Sequence, residues 1–259
     1  MSASFAALAA LEAARRPFVL ATVIETGGST PRHAGARMAV HAGGAIGTVG
    51  GGAFEHRVIA VAEALLADGA RQTDRFDVHL VRDLGMCCGG KMSVFLEKVE
   101  PAPRLRIYGA GHVGAATARV AQLAGFAVRV IDARAEWADP TRFPAEVQVE
   151  DAEPEDHLRG HPTAADEFVV VVTHDHALDE AMVRHLLGGD LTWLGLIGSR
   201  GKWGRFRKRL SARGLDDAAL DRVRCPVGLD IGALTPEEIA VSIVAELITV
   251  RRGGPRWNG

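Results

Sequence analysis

Residues 108–114 read YGAGHVG, and this stretch constrains the fold more than any other in the chain. It satisfies G-x-G-x-x-G with Gly109, Gly111 and Gly114, follows the apolar run RLRIYG, and opens the helical pattern HVGAATARVAQLAG. In that strand–turn–helix context the first glycine permits a tight turn and the second lets backbone approach a phosphate. The third lets the helix pack closely on the strand. The helix N-terminus would offer free N–H groups and a partial positive charge to an anion. Asp132 ends the next apolar strand, AVRVID, at a position where an acid can hold ribose hydroxyls.

The alternation continues downstream. FVVVVT and TWLGLIG read as buried strands, and ALDEAMVRHLLGG and KWGRFRKRLSARG as helices; a last helix begins after Thr235–Pro236 with Glu237 and Glu238 in its first turn. Continuous apolar strands between helices imply a parallel sheet covered on both faces. Residues 104–252 therefore read as a Rossmann-like, doubly wound α/β domain, followed by a Gly/Pro tail at 253–259. Such a fold does not name its ligand, so NAD(P) is one option and not a conclusion.

Residues 1–100 follow another pattern, and Pro101 and Pro103 mark the change. PFVLATVIET, ARMAVH, AIGTVGG and KMSVFLEKVE read as strands around one helix, AFEHRVIAVAEALLADG. A hairpin is expected at Gly43–Gly44, and the whole reads as a small α+β domain.

Composition narrows the function classes. The chain has 259 residues, 24% charged, and a formal net charge of -2, so no basic module for nucleic acid is expected. No apolar stretch approaches the roughly twenty residues that span a bilayer. The N-terminal MSASFAALAALEAARRPF reads as an amphipathic helix and not an export signal. Three cysteines argue against a disulfide framework and for a reducing, cytoplasmic setting.

Several clusters carry candidate chemistry. THDHALD places His174, Asp175 and His176 after a strand, at the sheet edge where open α/β folds bind ligands. The alternative is a helix cap by Asp175 with exposed imidazoles. GSRGKWGRFRKRL places Ser199 and Arg200 at another strand end, within reach of a phosphate, while its later charges are expected to face solvent or a partner. In the first domain, ETGGSTPRHAG and GTVGGGAFE are glycine loops with Ser29, Thr30 and Arg32 that could form an anion nest, and the second opens directly into a helix bearing Glu55. LGMCCGG adds the vicinal pair Cys87–Cys88. Consecutive side chains diverge, so the pair chelates zinc poorly; either it is buried and structural, or Lys91 and the glycines favour an accessible, partly ionised thiol.

Taken in order, GSTPR, GTVGGGAFE, LGMCCGG, YGAGHVG, VIDARAEWADPTRFP, THDHALD, GLIGSRGKW and RCPVGLDIG resemble the xanthine dehydrogenase accessory family, XdhC/CoxI, over about residues 16–250. The resemblance implies a small N-terminal domain paired with a Rossmann domain, and a homodimer. It implies a chaperone without catalytic turnover that binds the molybdenum cofactor in its molybdopterin form and shields it. Such a chaperone supports sulfuration of the cofactor with a cysteine desulfurase and delivers it to xanthine dehydrogenase or a related molybdenum hydroxylase. Under this reading Gly109, Gly111, Gly114, Asp132, His174, Ser199, Arg200, Ser29 and Arg32 are candidate cofactor contacts, and Cys87 or Cys88 is a possible molybdenum contact. Cys225 is expected to lie outside the site. The competing readings are an NAD(P)-dependent oxidoreductase with His174 or His176 as acid/base, and an assembly scaffold.

Overall fold

A computed structural model describes residues 1–254, and the chain divides into two units, Met1–Pro101 and the residues from Ala102 onward. From residue 255 the expected tail lies outside the described residues.

The first unit runs α1 (Phe5–Ala13), β1 (Phe18–Gly27), β2 (Arg37–His41), β3 (Gly44–Gly47), α2 (Gly52–Ala67), β4 (Thr73–His79), α3 (Leu80–Leu84) and β5 (Lys91–Val99). Its five-stranded sheet has the order β3-β2-β1-β5-β4, every pair antiparallel. Period-two alternation decides the faces. Val19, Ala21 and Val23 of β1 meet Phe54, Val58, Ala62 and Leu65 of α2, while Phe18 and Leu20 meet Leu8 and Leu11 of α1. The expected hairpin forms with His41 opposite Gly44.

The second unit runs β6 (Arg104–Tyr108), α4 (His112–Leu123), β7 (Ala127–Asp132), β8 (Gln148–Asp151), α5 (Pro154–Gly160), β9 (Glu167–Val171), α6 (His176–Leu186), β10 (Trp193–Leu196), α7 (Arg200–Ala212), α8 (Asp217–Leu220), β11 (Val223–Arg224) and α9 (Pro236–Arg251). The six strands are parallel in the order β11-β10-β9-β6-β7-β8, which reverses direction between β6 and β9. That order is the doubly wound arrangement, with its ligand crevice at the switch point. One face packs α4 and α9 through Ala115, Ala118, Ile243 and Leu247, and the other packs α6 and α7 through Met182, Val183, Phe206 and Leu210. Thr235 and Glu238 form a capping box that starts α9. Among the described residues, no helix is long and apolar enough to cross a membrane.

A buried polar network crosses the second sheet. Arg106 donates to both Glu167 oxygens at 2.9 and 3.0 Å, and to the Tyr108 hydroxyl at 3.2 Å. The same hydroxyl contacts His157 Nδ1 at 3.2 Å, and His157 Nε2 lies 3.3 Å from Glu150. Burial first, then Arg106, push the His157 imidazole down to about 4, with Glu150 opposing and His161 and Arg129 assisting. Above about pH 6.5 the ring is neutral in both folded and unfolded chains. Between that value and about 4 only the unfolded chain binds the proton, so stability is expected to fall with pH by up to about 3 kcal/mol. Urea midpoints measured from pH 7 to 4.5 should fall less steeply for His157→Gln than for the parent. Parallel profiles would remove His157 as the cause.

Candidate functional site

The glycine loop joins β6 to α4 at the switch point. Gly109 has φ +116°, and a Cβ there would lie 2.4 Å from the Val172 carbonyl oxygen. A Cβ at Gly114 would lie 1.9 Å from the Gly109 carbonyl oxygen. Both glycines are thus demanded by packing. Gly111 differs: a Cβ there would meet nothing within 4 Å, and as the N-cap of α4 it offers the helix no side-chain cap. Its first amides therefore have no side-chain acceptor, which is the arrangement that receives an anion.

Asp132 is buried and already engaged. Its Oδ2 accepts from the Ala110 amide at 2.7 Å and from Arg134 Nη2 at 2.7 Å, and its Oδ1 accepts from Arg134 Nε at 2.8 Å. Burial works against its charge, but Arg134 and the Ala110 amide outweigh it and hold the carboxyl below its ordinary value. A ribose could reach these oxygens only by displacing Arg134. Beside it lies a cluster that motif spacing does not reveal. Arg134 and Arg142 stack over Trp137 at 5.0 and 4.6 Å, and His112 meets its edge at 5.1 Å. Arg142 also donates to the Ala110 carbonyl at 3.1 Å, tying this cluster to the glycine loop.

His174 and His176 are exposed at the carboxyl end of β9, and Asp175 caps α6 by accepting from the Ala177 amide at 2.7 Å. Ser199 caps α7 by accepting from the Lys202 amide, and Arg200 is exposed. The later charges of that helix do not all face solvent. Lys202 is 5% exposed and donates to Asp179, itself 0% exposed, at 2.6 Å and to the Ile197 carbonyl at 2.9 Å. Arg207 pairs with Asp217 and Asp221, and Arg209 with Glu180. Lys202 shares a buried stripe with Phe206 and Leu210, but within so basic a run its helical spacing does not set it apart from its exposed neighbours.

In the first unit three loops touch. A Cβ at Gly90 would lie 2.4 Å from the Ser29 carbonyl oxygen, one at Gly50 2.7 Å from Pro31 Cγ, and one at Gly52 3.8 Å from Met86 Cε. Ser29 and Arg32 are exposed on the first of these loops. The expected anion nest in the second is filled from within. Glu55 Oε2 accepts from the Val49 and Gly51 amides at 3.1 Å each and from the Thr48 hydroxyl. Burial opposes the Glu55 charge, yet Thr48 and these amides together hold its carboxyl below the ordinary value.

The vicinal cysteines divide as diverging side chains must. Cys87 is exposed, and Cys88 packs partly against the first core. Burial, then the neighbouring Cys87, push the Cys88 thiol up, so the loop does not favour a thiolate at Cys88. Cys225 lines a cavity in the second unit. Among the described residues, no group of three or more His, Cys, Asp or Glu side chains is arranged to hold a metal ion.

With this geometry in place, comparison with known proteins gives a consistent result. Residues 105–247 match the family model of the XdhC Rossmann domain, and residues 11–77 match that of the XdhC and CoxI family. The chain is 37% identical over 257 residues to the uncharacterized protein YqeB of Escherichia coli (strain K12), across 97% of this chain and 47% of that protein. It is 36% identical over 160 residues to a probable xanthine dehydrogenase subunit of Bacillus subtilis (strain 168), across 62% of this chain and 46% of that protein. The chain thus spans about half the length of the curated relatives it matches. A crystal structure described as a xanthine dehydrogenase from Bacillus halodurans shares the fold, with a TM-score of 0.55 at 23% identity over 97% of this chain and 96% of that chain. The chain belongs to the XdhC family.

Proposed function

We propose that this chain is an accessory factor for xanthine dehydrogenase or a related molybdenum hydroxylase. It binds the molybdenum cofactor in its molybdopterin form, shields it, supports its sulfuration with a cysteine desulfurase, and passes it on without catalytic turnover. It works in the cytoplasm as a homodimer. The observation that carries this reading is the glycine loop, bare at Gly111, in a chain of the XdhC family. The name of the Bacillus subtilis relative supports the link to xanthine dehydrogenase.

The residues present fit such a ligand. When bound, the cofactor supplies a pterin-held molybdenum and a terminal phosphate. In the second unit, the uncapped first turn of α4 would hold the phosphate through backbone amides. In the first unit, taken by itself, the exposed Cys87 thiol on the loop that touches Ser29 would offer a soft donor. The engaged Asp132 argues against the dinucleotide-using oxidoreductase, whose ribose would need that carboxylate.

Native mass spectrometry of protein purified from a molybdenum-replete host tests the reading directly. A bound species of molybdopterin mass is the expected result; a nicotinamide dinucleotide, or no ligand at all, would overturn it. Gly111→Val is expected to keep the fold, because its Cβ meets nothing, and to retain about tenfold less cofactor, the equivalent of roughly 1.4 kcal/mol. Full retention would make the loop purely structural. Cys87→Ser is expected to lower retention by a similar factor, about tenfold, whereas Cys88→Ser retains cofactor because its side chain faces the core. The reverse order would exchange the two roles, and equal retention by both would remove the pair from the site.

A further inference from the structure

At the carboxyl ends of β10 and β11 the second unit forms an open-mouthed cavity of about 980 Å³. This is the upper end of the ~300–1,000 Å³ typical of small-molecule sites. Its walls are aliphatic at Ile197, Val227, Leu229, Ile231 and Ile239, with the half-buried Cys225 among them, and polar at Arg200, Arg224 and Asp230. Open α/β sheets bind ligands at this edge.

The walls are held in place by the chain itself. The Gly228 amide donates to Glu246 Oε2 at 2.8 Å, and Arg224 Nε donates to Oε1 of the same carboxylate at 2.7 Å. The Leu229 amide donates to the Ser242 carbonyl at 3.2 Å, and the Ser242 hydroxyl donates back to the Leu229 carbonyl. The loop after β11 is therefore stapled to α9. Beneath Ile197, Lys202 pairs with Asp179 while donating to the Ile197 carbonyl. Burial, only partly offset by Lys202 and reinforced by Asp179, pushes the Cys225 thiol up to about 11. At neutral pH it is an uncharged wall, weakly donating toward the Gly198 carbonyl 3.7 Å away.

We infer that this cavity receives the flat ring system of a phosphorylated heterocycle whose phosphate rests on the 109–114 loop. This rests on the accessory-factor reading and adds where the body of the cofactor lies. Only β9 separates β6 from β10, which puts the two strand ends roughly 10 Å apart on one edge of one sheet. Ile197, Val227 and Ile239 pack with the face that carries α4, whereas Val223 and Cys225 pack with the opposite face, so the cavity lies across the end of the sheet and one of its walls is on the loop's side. The aliphatic walls and the neutral thiol suit the faces of a ring, and the charged rim at Arg200 and Asp230 suits its polar edge. Cys225, expected from sequence to lie outside the cofactor site, becomes part of the binding surface under this inference.

The test compares cofactor retention by native mass spectrometry for the parent, Ala233→Trp and Cys225→Leu, each purified from the molybdenum-replete host, with circular dichroism to confirm folding. Ala233 lines the cavity and is half-buried, so a larger ring there reduces the space without opening the core. The expected result is about tenfold lower retention by both folded variants. Cysteine mapping with N-ethylmaleimide should also label Cys225 more slowly in the loaded parent than after the cofactor is stripped. If the parent carries cofactor and folded Ala233→Trp carries as much, the inference is overturned while the accessory reading stands. If the parent carries none, the accessory reading fails and takes the inference with it. Should Cys225→Leu not fold, Ala233→Trp alone decides.

Discussion

Alanine at Gly114 is expected to destabilise the second unit by about 3 kcal/mol or more, because the new methyl has nowhere to go. Its Cβ would lie 1.9 Å from the Gly109 carbonyl oxygen and 3.0 Å from the carbonyl carbon. Both are backbone atoms of the loop that begins α4, so no rotamer change relieves the overlap and the helix must move off the sheet. For a unit of this size the loss corresponds to a fall in Tm of roughly 6–12 °C. Thermal unfolding followed by circular dichroism reads it, with Gly111→Val as the internal comparison that should melt near the parent. A Gly114→Ala protein that melts with the parent would mean that α4 does not pack on β6 as described.

Lys202→Met is expected to cost about 3–5 kcal/mol, since it strands the Asp179 carboxylate in the interior without its cation. Asp179 is fully buried, and the Thr173 hydroxyl, donating at 2.7 Å, is a weak substitute for an ammonium group at 2.6 Å. The Ile197 carbonyl loses its donor at the same time. Replacing both partners, Lys202→Met with Asp179→Leu, should recover much of the loss, because no charge is then left unpaired. Urea unfolding of the three variants distinguishes the cases. A single variant as stable as the parent would put Lys202 on a solvated face, as its basic surroundings in sequence suggest.

That contrast shows where sequence reading reaches its limit. Lys202 lies in a run with Arg200, Arg205, Arg207, Lys208 and Arg209, and local composition reads as an exposed face. Burial was decided by a partner on another helix, Asp179 of α6. Two edge strands escape sequence reading for a related reason. β4 and β8 pair on one side only, so Thr73–His79 and Gln148–Asp151 carry polar residues and lack the continuous apolar signal of β9 or β10. Asp132 does end its strand as expected, but its oxygens are taken by Arg134, a pairing visible only once the chain turns after β7. The glycine loop of GTVGGGAFE likewise reads as an open nest, although Glu55, on the helix that the loop opens, folds back into it.

What the sequence determined by itself was the layering. Periodicity and glycine spacing are local properties of the chain, and they specified a parallel, doubly wound unit around YGAGHVG and a small α+β unit with a hairpin before it. The tertiary structure alone decided which polar groups face a ligand and which face each other. It sent Cys87 outward and Cys88 inward, closed Asp132 with Arg134, buried Lys202 against Asp179, and gave Cys225 a cavity to line. The reason is physical: an apolar side chain needs only to leave water, which its spacing along the chain announces. A buried charge or thiol needs a particular partner, and that partner arrives from another element when the chain folds.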